Sequence, residues 1–209
     1  MEKLRIGCLA SGSGSNFESI VNSCFNGLLN SSAEVAILIS NIPDAKCLDR
    51  AKKYNIPSIV IPSKSFIGSR EEYDQKLIEI LKMNNVELIC LTGYMRFVSK
   101  LFLDSFPGKV MNIHPALLPS FKGLHAQKAA LDYGVKVAGC TVHFVDEKED
   151  NGPIIIQKVV NVQEDDTEES LAARILQQEH IAFSEAIKLF AEKRLKIEGR
   201  KVKIFPHSI

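Results

Sequence analysis

The stretch Leu4-Arg5-Ile6-Gly7-Cys8-Leu9-Ala10-Ser11-Gly12-Ser13-Gly14-Ser15-Asn16-Phe17 decides how the rest of the chain is read. Its first seven residues, Leu4 to Ala10, are a nearly continuous apolar run, the pattern of a strand buried on both faces of a sheet. Small polar residues follow from Ser11 to Asn16, and then Phe17, Ile20, Val21, Cys24 and Leu28 recur at helical spacing. Strand, Gly/Ser turn and amphipathic helix in that order open a strand-helix-strand unit.

The same texture continues outward. Apolar β-rich runs recur at Val35 to Ser40, Ser58 to Ile61 and Val86 to Thr92, separated by helical segments. One of these carries the stripe Tyr73, Leu77, Ile80 and Leu81, and opens on Ser69 with Glu72 three residues later, a capping box. Alternation of this kind implies right-handed crossovers and an open, mostly parallel, doubly wound α/β sheet of Rossmann-like type.

From Lys109 the pattern changes. A strand over Lys109 to Ile113 runs into a loop holding Pro115, Pro119 and Gly123, and a long loop in a compact domain is usually functional. After a short helix over Ala126 to Tyr133, β-rich runs at Val137 to Val145 and Pro153 to Val162 flank the polar stretch Asp146 to Gly152, which could face the first loop. A long helix opens near Asp166 or Thr167, with Glu169 placed to complete a cap, and runs to about Lys193. The tail Leu195 to Ile209 offers a final hairpin around Gly199, so the C-terminal part is expected to be antiparallel.

A length of 209 residues with 45% hydrophobic content suits one domain with one substantial core. Its 26 basic residues nearly cancel 25 acidic ones, so no broad positive field exists to hold nucleic acid or an anionic membrane. The opening apolar run is too short for a signal sequence or a membrane span, and a cytoplasmic location is expected. The five cysteines, Cys8, Cys24, Cys47, Cys90 and Cys140, lack the paired spacing of a metal or redox motif and read as core filler, and no metal is expected.

Three patterns carry chemistry. The loop Ser11 to Asn16 precedes a helix, where backbone N–H groups and the helix dipole favour an anion such as phosphate. It lacks the Walker lysine and the third glycine of a dinucleotide fingerprint, and Ser15 or Asn16 could simply cap the helix. Asn112-Ile113-His114-Pro115 ends a strand, where open parallel sheets place ligands; two residues apart, Asn112 and His114 share a face. An amide can stabilise an oxyanion and an imidazole can move a proton near neutral pH, although both could serve only as hydrogen-bond partners. Asp150 is the carboxylate that would favour the charged form of His114, against the alternative of a solvated turn residue. His143 shares a face with Thr141 and reads as a second-rank partner or a satisfied core histidine. On the long helix, Leu171, Ile175, Ala182, Ala186 and Phe190 form the buried stripe, with Gln178 and Glu179 in its middle; Glu179 could meet a substrate or an internal cation.

Taken together, SGSGSN (11–16), SREEYD (69–74), LTGYMRFVS (91–99), NIHPALLPSFKGLHA (112–126), TVHF (141–144), DNGPIIIQ (150–157) and QQEH (177–180) closely resemble the glycinamide ribonucleotide formyltransferase family across essentially the whole chain. The resemblance implies transfer of the formyl group of 10-formyltetrahydrofolate to the amine of 5'-phosphoribosylglycinamide, a step of purine synthesis. It implies one domain over 1–209, with a phosphate-binding half of about 1–108 and a folate and catalytic half of about 109–209. By resemblance Gly14, Ser15 and Asn16 hold the phosphate, and Leu176, Gln177, Gln178 and Glu179 contact the sugar. Folate lies across Met95, Arg96, Phe97 and Val98, Asn112 and the loop Asp146, Glu147, Lys148, Glu149 and Asp150, with Arg70 helping to hold it. Asn112, His114 and Asp150 match the catalytic trio. Asn112 and His114 would stabilise the oxyanion, and protons would leave through His114 or water ordered by Asp150. Ala116 departs from the family pattern, which has serine there.

The partners so implied are small molecules, with neither nucleic acid nor membrane, and the protein a monomer or weak homodimer. Formyltetrahydrofolate hydrolase and methionyl-tRNA formyltransferase share the trio but are expected to need extra segments. A silent binding protein for folate and a phosphorylated metabolite is the alternative of another class.

Overall fold

Strand β1 (Leu4–Ala10) runs into helix α1 (Ser15–Asn26) through the Gly/Ser loop, as its pattern requires, in a computed structural model that describes residues 2–207. Met1, and Ser208 and Ile209 at the end of the expected tail hairpin, lie outside the described residues. The chain divides into two compact units, Met1–Met111 and Asn112–Ile209.

In the first unit the chain continues through β2 (Ala33–Ser40), α2 (Lys46–Lys53), β3 (Ser58–Val60), α3 (Arg70–Met83), β4 (Leu88–Leu91) and α4 (Lys100–Ser105). The strands lie in the order β3-β2-β1-β4, with parallel pairing of β1 to β2, β1 to β4 and β2 to β3. From β1 the chain winds outward through β2 to β3, then returns to place β4 on the other side of β1. Ligands of open α/β sheets bind beyond the carboxyl ends of strands at such a reversal. The loops after β1 and β4 begin there: Ser11 N–H donates to the Gly93 carbonyl (3.0 Å), and Met95 N–H donates to Ser11 Oγ (2.8 Å).

Burial explains the helices and where the periodic reading departs from them. Phe17, Ile20 and Val21 are fully buried beneath α1, each contributing about 1.5–3 kcal/mol by leaving water. Leu28 does not continue the stripe: α1 ends at Asn26, Leu28 is 44% exposed, and Leu29 is the residue turned inward. In α3 the capping box forms as read, with Glu72 N–H donating to Ser69 Oγ (3.1 Å) and Ser69 N–H to Glu72 Oε2 (2.6 Å). Ile78 is buried there beside Tyr73, Leu77 and Leu81, whereas Ile80 is only half-buried.

Strand β5 (Val110–His114) begins in the first unit and ends in the second. The second unit continues with α5 (Ala126–Tyr133), β6 (Val137–Phe144), β7 (Ile154–Asn161), the long α6 (Glu168–Ala191), β8 (Leu195–Glu198) and β9 (Lys201–Ile204). Its strand order is β5-β6-β7-β9-β8, with β6 and β7 antiparallel, β7 and β9 parallel, and β8 and β9 an antiparallel hairpin around Gly199. Helix α6 covers β6 and β7 with the expected stripe of Leu171, Ile175, Ala182 and Ala186, joined by Phe183 and Ile187; Phe190 is only half-buried. Its cap differs from the sequence reading. Thr167 is the N-cap, so the third helical position is Ser170, and Ser170 rather than Glu169 closes the box with Thr167 (3.0 and 3.2 Å).

All five cysteines are buried and free. Burial pushes the Cys24 and Cys140 thiols up to about 12, which keeps them protonated and unreactive. Among the described residues no helix is long and apolar enough to cross a membrane.

Candidate active site

Asn112 and His114 leave β5 on one face and both reach Asp150, within the second unit. Asn112 Nδ2 donates to Asp150 Oδ1 (3.4 Å), and His114 Nδ1 lies 3.1 Å from Asp150 Oδ2. His114 is 4% exposed. Its other ring nitrogen, Nε2, lies 2.7 Å from the Phe121 carbonyl, which can only accept, so Nε2 carries a hydrogen. Both ring nitrogens thus face acceptors.

The loop bearing Asp150 does face the loop after β5. Gly123 N–H donates to Asp150 Oδ2 (3.0 Å), and Lys122 Nζ donates to Asn151 Oδ1 (3.2 Å). The Asp150 loop is also braced internally: Asp146 accepts from Lys148 N–H (3.0 Å) and Asn151 Nδ2 (2.8 Å). Glu147, Lys148 and Glu149 lie exposed along it. Burial alone would raise the Asp150 carboxyl. The nearby His143 ring, the Gly123 N–H and the charge of His114 outweigh burial and hold the carboxyl below its usual value.

A lowered folded-state value means that ionised Asp150 stabilises the fold. That contribution is complete above the unfolded-state value of roughly 4 and is lost as pH falls through the lower folded-state value. Urea unfolding of wild type and Asp150→Asn across acid pH is expected to give a stability difference that is constant near neutrality and shrinks below about pH 4. A difference unchanged down to pH 2 would contradict the pairing.

His143, ranked second from sequence, is part of the cluster. Its Nδ1–H donates to the Phe144 carbonyl (2.9 Å), and Nε2 lies 3.3 Å from Asn112 Nδ2 and 3.7 Å from Asp150 Oδ1. The ring is 2% exposed, and it aims the Asn112 amide. Thr141, two residues earlier, ties the first loop down by donating to the Ala116 carbonyl (2.7 Å) and accepting from Leu118 N–H (3.1 Å). Ala116, the departure from the family pattern, is therefore held through its backbone. Among the described residues no group of three or more His, Cys, Asp or Glu side chains has an arrangement that could hold a metal ion.

Gly152 explains how the Asp150 loop returns to β7. A Cβ at this position would sit 1.7 Å from the Phe144 carbonyl oxygen and 2.7 Å from its carbon, backbone that cannot swing aside. Gly152→Ala is expected to displace the loop, cost about 1–3 kcal/mol of stability and lower kcat more than about tenfold. Thermal melts and single-turnover rates check both numbers.

Elsewhere in the second unit, Leu176, Gln177, Gln178 and Glu179 occupy the middle of α6, with Gln177 exposed and Glu179 only 7% exposed. In the first unit, Gly14 is the N-cap of α1 with φ +70°, and no side chain caps this helix, so neither Ser15 nor Asn16 takes the capping role. A Cβ on Gly14 would fall 2.5 Å from Cys47 Cβ, so glycine is required for both conformation and packing. The loop after β4 presents Met95 and Phe97, 66% and 57% exposed, with Val98 half-buried and the Arg96 guanidinium 4.2 Å from the centre of the Tyr73 ring. Arg70 is exposed at the start of α3.

A family model described as formyl transferase matches residues 4–187. The chain belongs to the formyl transferase family. Phosphoribosylglycinamide formyltransferase of Bacillus subtilis strain 168 is 45% identical to this formyl transferase over 179 residues, 86% of this chain and 90% of that protein. Trifunctional purine biosynthetic protein adenosine-3 of Chironomus tentans is 44% identical over 198 residues; the match takes in 95% of this chain but spans only 14% of that longer protein. In structure, this formyl transferase is similar to glycinamide ribonucleotide transformylase 1 from Symbiobacterium toebii, with a TM-score of 0.94 and 48% identity over 98% of this chain and 95% of that one.

Proposed function

We propose that the chain transfers the formyl group of 10-formyltetrahydrofolate to the amine of 5'-phosphoribosylglycinamide, giving formylglycinamide ribonucleotide and tetrahydrofolate. One observation carries the chemistry: the two oxygens of Asp150 each meet one member of the Asn112 and His114 pair. Membership of the formyl transferase family and the 45% identity to the Bacillus subtilis enzyme support the choice of reaction. In this reading the bound folate supplies an activated formyl carbon for attack by the substrate amine. The Nε2–H of His114 turns from the Phe121 carbonyl to donate a hydrogen bond to the formyl oxygen as it gains negative charge, while Nδ1 stays against Asp150. Asn112 contributes an amide N–H to the same oxygen. As the tetrahedral adduct collapses, the bond from the formyl carbon to N10 of the folate breaks, and the proton the amine sheds passes, through His114 or water ordered by Asp150, to that departing nitrogen to give tetrahydrofolate. Each well-placed donor is worth about 3 kcal/mol in sites of this kind.

The same proposal divides the chain into a phosphate-binding half of about 1–108 and a folate and catalytic half of about 109–209 within one functional domain. Gly14, Ser15 and Asn16 take the phosphate, and Leu176, Gln177, Gln178 and Glu179 take the sugar. Arg70, Met95 to Val98 and Asp146 to Asp150 take the folate; the exposed apolar side chains of Met95 and Phe97 suit a flat heteroaromatic ring. The partners are small molecules, with the protein a monomer or weak homodimer.

The test is consumption of 10-formyltetrahydrofolate with and without the ribonucleotide. Turnover that requires the ribonucleotide supports transfer. Loss of formyl without it would point to hydrolysis, and binding without turnover would reduce the chain to a carrier.

A further inference from the structure

The carbonyls of Gly12, Ser13 and Gly14 are all tied down inside the first unit. Cys47 N–H donates to Gly12 (3.1 Å), Arg50 Nε–H to Ser13 (2.7 Å) and Glu18 N–H to Gly14 (2.9 Å). In a trans peptide the N–H of the next residue points opposite the carbonyl, so the N–H groups of Ser13, Gly14 and Ser15 are turned away from these donors. Successive N–H groups displayed in this way make an anion-binding concavity. Two of the three donors belong to α2, and only one of them, Arg50, is a side chain.

Arg50 has a second task. Its Nη1 pairs with Oε2 of Glu18, while the other Glu18 oxygen is held by Lys53 Nζ (3.0 Å) and Tyr54 Oη (3.2 Å). Glu18 stands in the first turn of α1, where a carboxylate suits the helix dipole but repels any anion bound at the same end. A partner on Oε2 removes that conflict.

We propose that Arg50 is a positioning residue for the substrate phosphate: its Nε–H keeps the Ser13 carbonyl away from the anion, and its guanidinium neutralises Glu18. The inference rests on the reading of Gly14 to Asn16 as the phosphate loop. Arg50 touches the loop backbone and Glu18, so its loss should weaken binding of the phosphate and leave the chemical step intact.

The experiment measures KM for the ribonucleotide and for glycinamide riboside, which lacks the phosphate, together with saturated kcat and folate KM. It compares wild type, Arg50→Met, Glu18→Gln/Arg50→Met and Gly14→Val. Arg50→Met is expected to raise the ribonucleotide KM by about tenfold to a hundredfold, the range for losing charge-assisted hydrogen bonds, with riboside KM, folate KM and kcat within about twofold of wild type. Neutralising Glu18 in the double variant should recover part of the loss. Equal weakening of both ligands, an unchanged ribonucleotide KM, or a double variant no better than Arg50→Met would overturn the inference. If wild type does not prefer the phosphorylated ligand, or Gly14→Val keeps that preference, the phosphate-loop reading itself fails. If that preference is present in wild type, lost in Gly14→Val and undiminished in Arg50→Met, only the role of Arg50 fails.

Discussion

His114→Ala is expected to lower kcat by about 10²–10⁴-fold, the usual contribution of a positioned acid or base, while the ribonucleotide KM changes little. The substitution removes the ring that bridges Asp150 and the Phe121 carbonyl, bonds of 3.1 and 2.7 Å, and leaves Asp150 with Asn112, His143 and the Gly123 N–H. The fold should survive, because Asp150 keeps those partners and the loop keeps its anchor through Thr141. His114→Gln is the informative companion. Its amide can still donate one hydrogen bond but cannot take up and release a proton, so recovery of most of the rate would assign His114 a purely electrostatic role. Steady-state and single-turnover rates at saturating folate measure both variants. A His114→Ala enzyme with kcat near wild type would remove His114 from the chemistry.

Gly14→Val combines two penalties at one residue. At φ +70° a β-branched side chain is a steric outlier, and its Cβ would overlap Cys47 Cβ at 2.5 Å and Cys47 Cα at 2.8 Å. Relief requires the loop to lift off α2, which breaks the display of N–H groups at the start of α1. The expected result is a ribonucleotide KM raised more than about tenfold, with folate KM near wild type, as for loss of a charge-assisted contact to phosphate. Gly14→Ala, strained but smaller, should fall between the two. Titration by calorimetry with each ligand separately gives the answer, and a ribonucleotide affinity unchanged in Gly14→Val would remove the loop from phosphate binding.

Much of this fold is legible in the residues because it is specified locally. The apolar run Leu4–Ala10 matches β1 at both ends, and Ala126–Tyr133 matches α5, since strand and helix periodicity and turn residues are properties of adjacent positions. The box of Ser69 and Glu72 is likewise a relation within one turn. Two short helices show where this fails. Helix α2 buries only Cys47 and Ala51, too narrow a stripe to detect, and α4 buries only Phe102. The latter forms because Ser99 caps it by accepting from Phe102 N–H (3.3 Å), while the buried Asp74 accepts from Ser99 N–H (2.5 Å).

The candidate site divides along the same line. Asn112 and His114 share a face because strand geometry makes residues two apart do so, and the sequence alone determined that much, together with the Gly/Ser loop at the head of a helix and the cysteines as core filler. Only the tertiary structure decided that Asp150 is a partner of both rather than a solvated turn residue. It also decided that His143 aims the Asn112 amide, that the Phe121 carbonyl holds a proton on His114, and that Arg50 grips the carbonyl of Ser13, 37 positions away. The physical reason is reach. Periodicity and capping depend on neighbours within a turn or a pleat, whereas hydrogen bonds between distant loops depend on where the packed sheet delivers them.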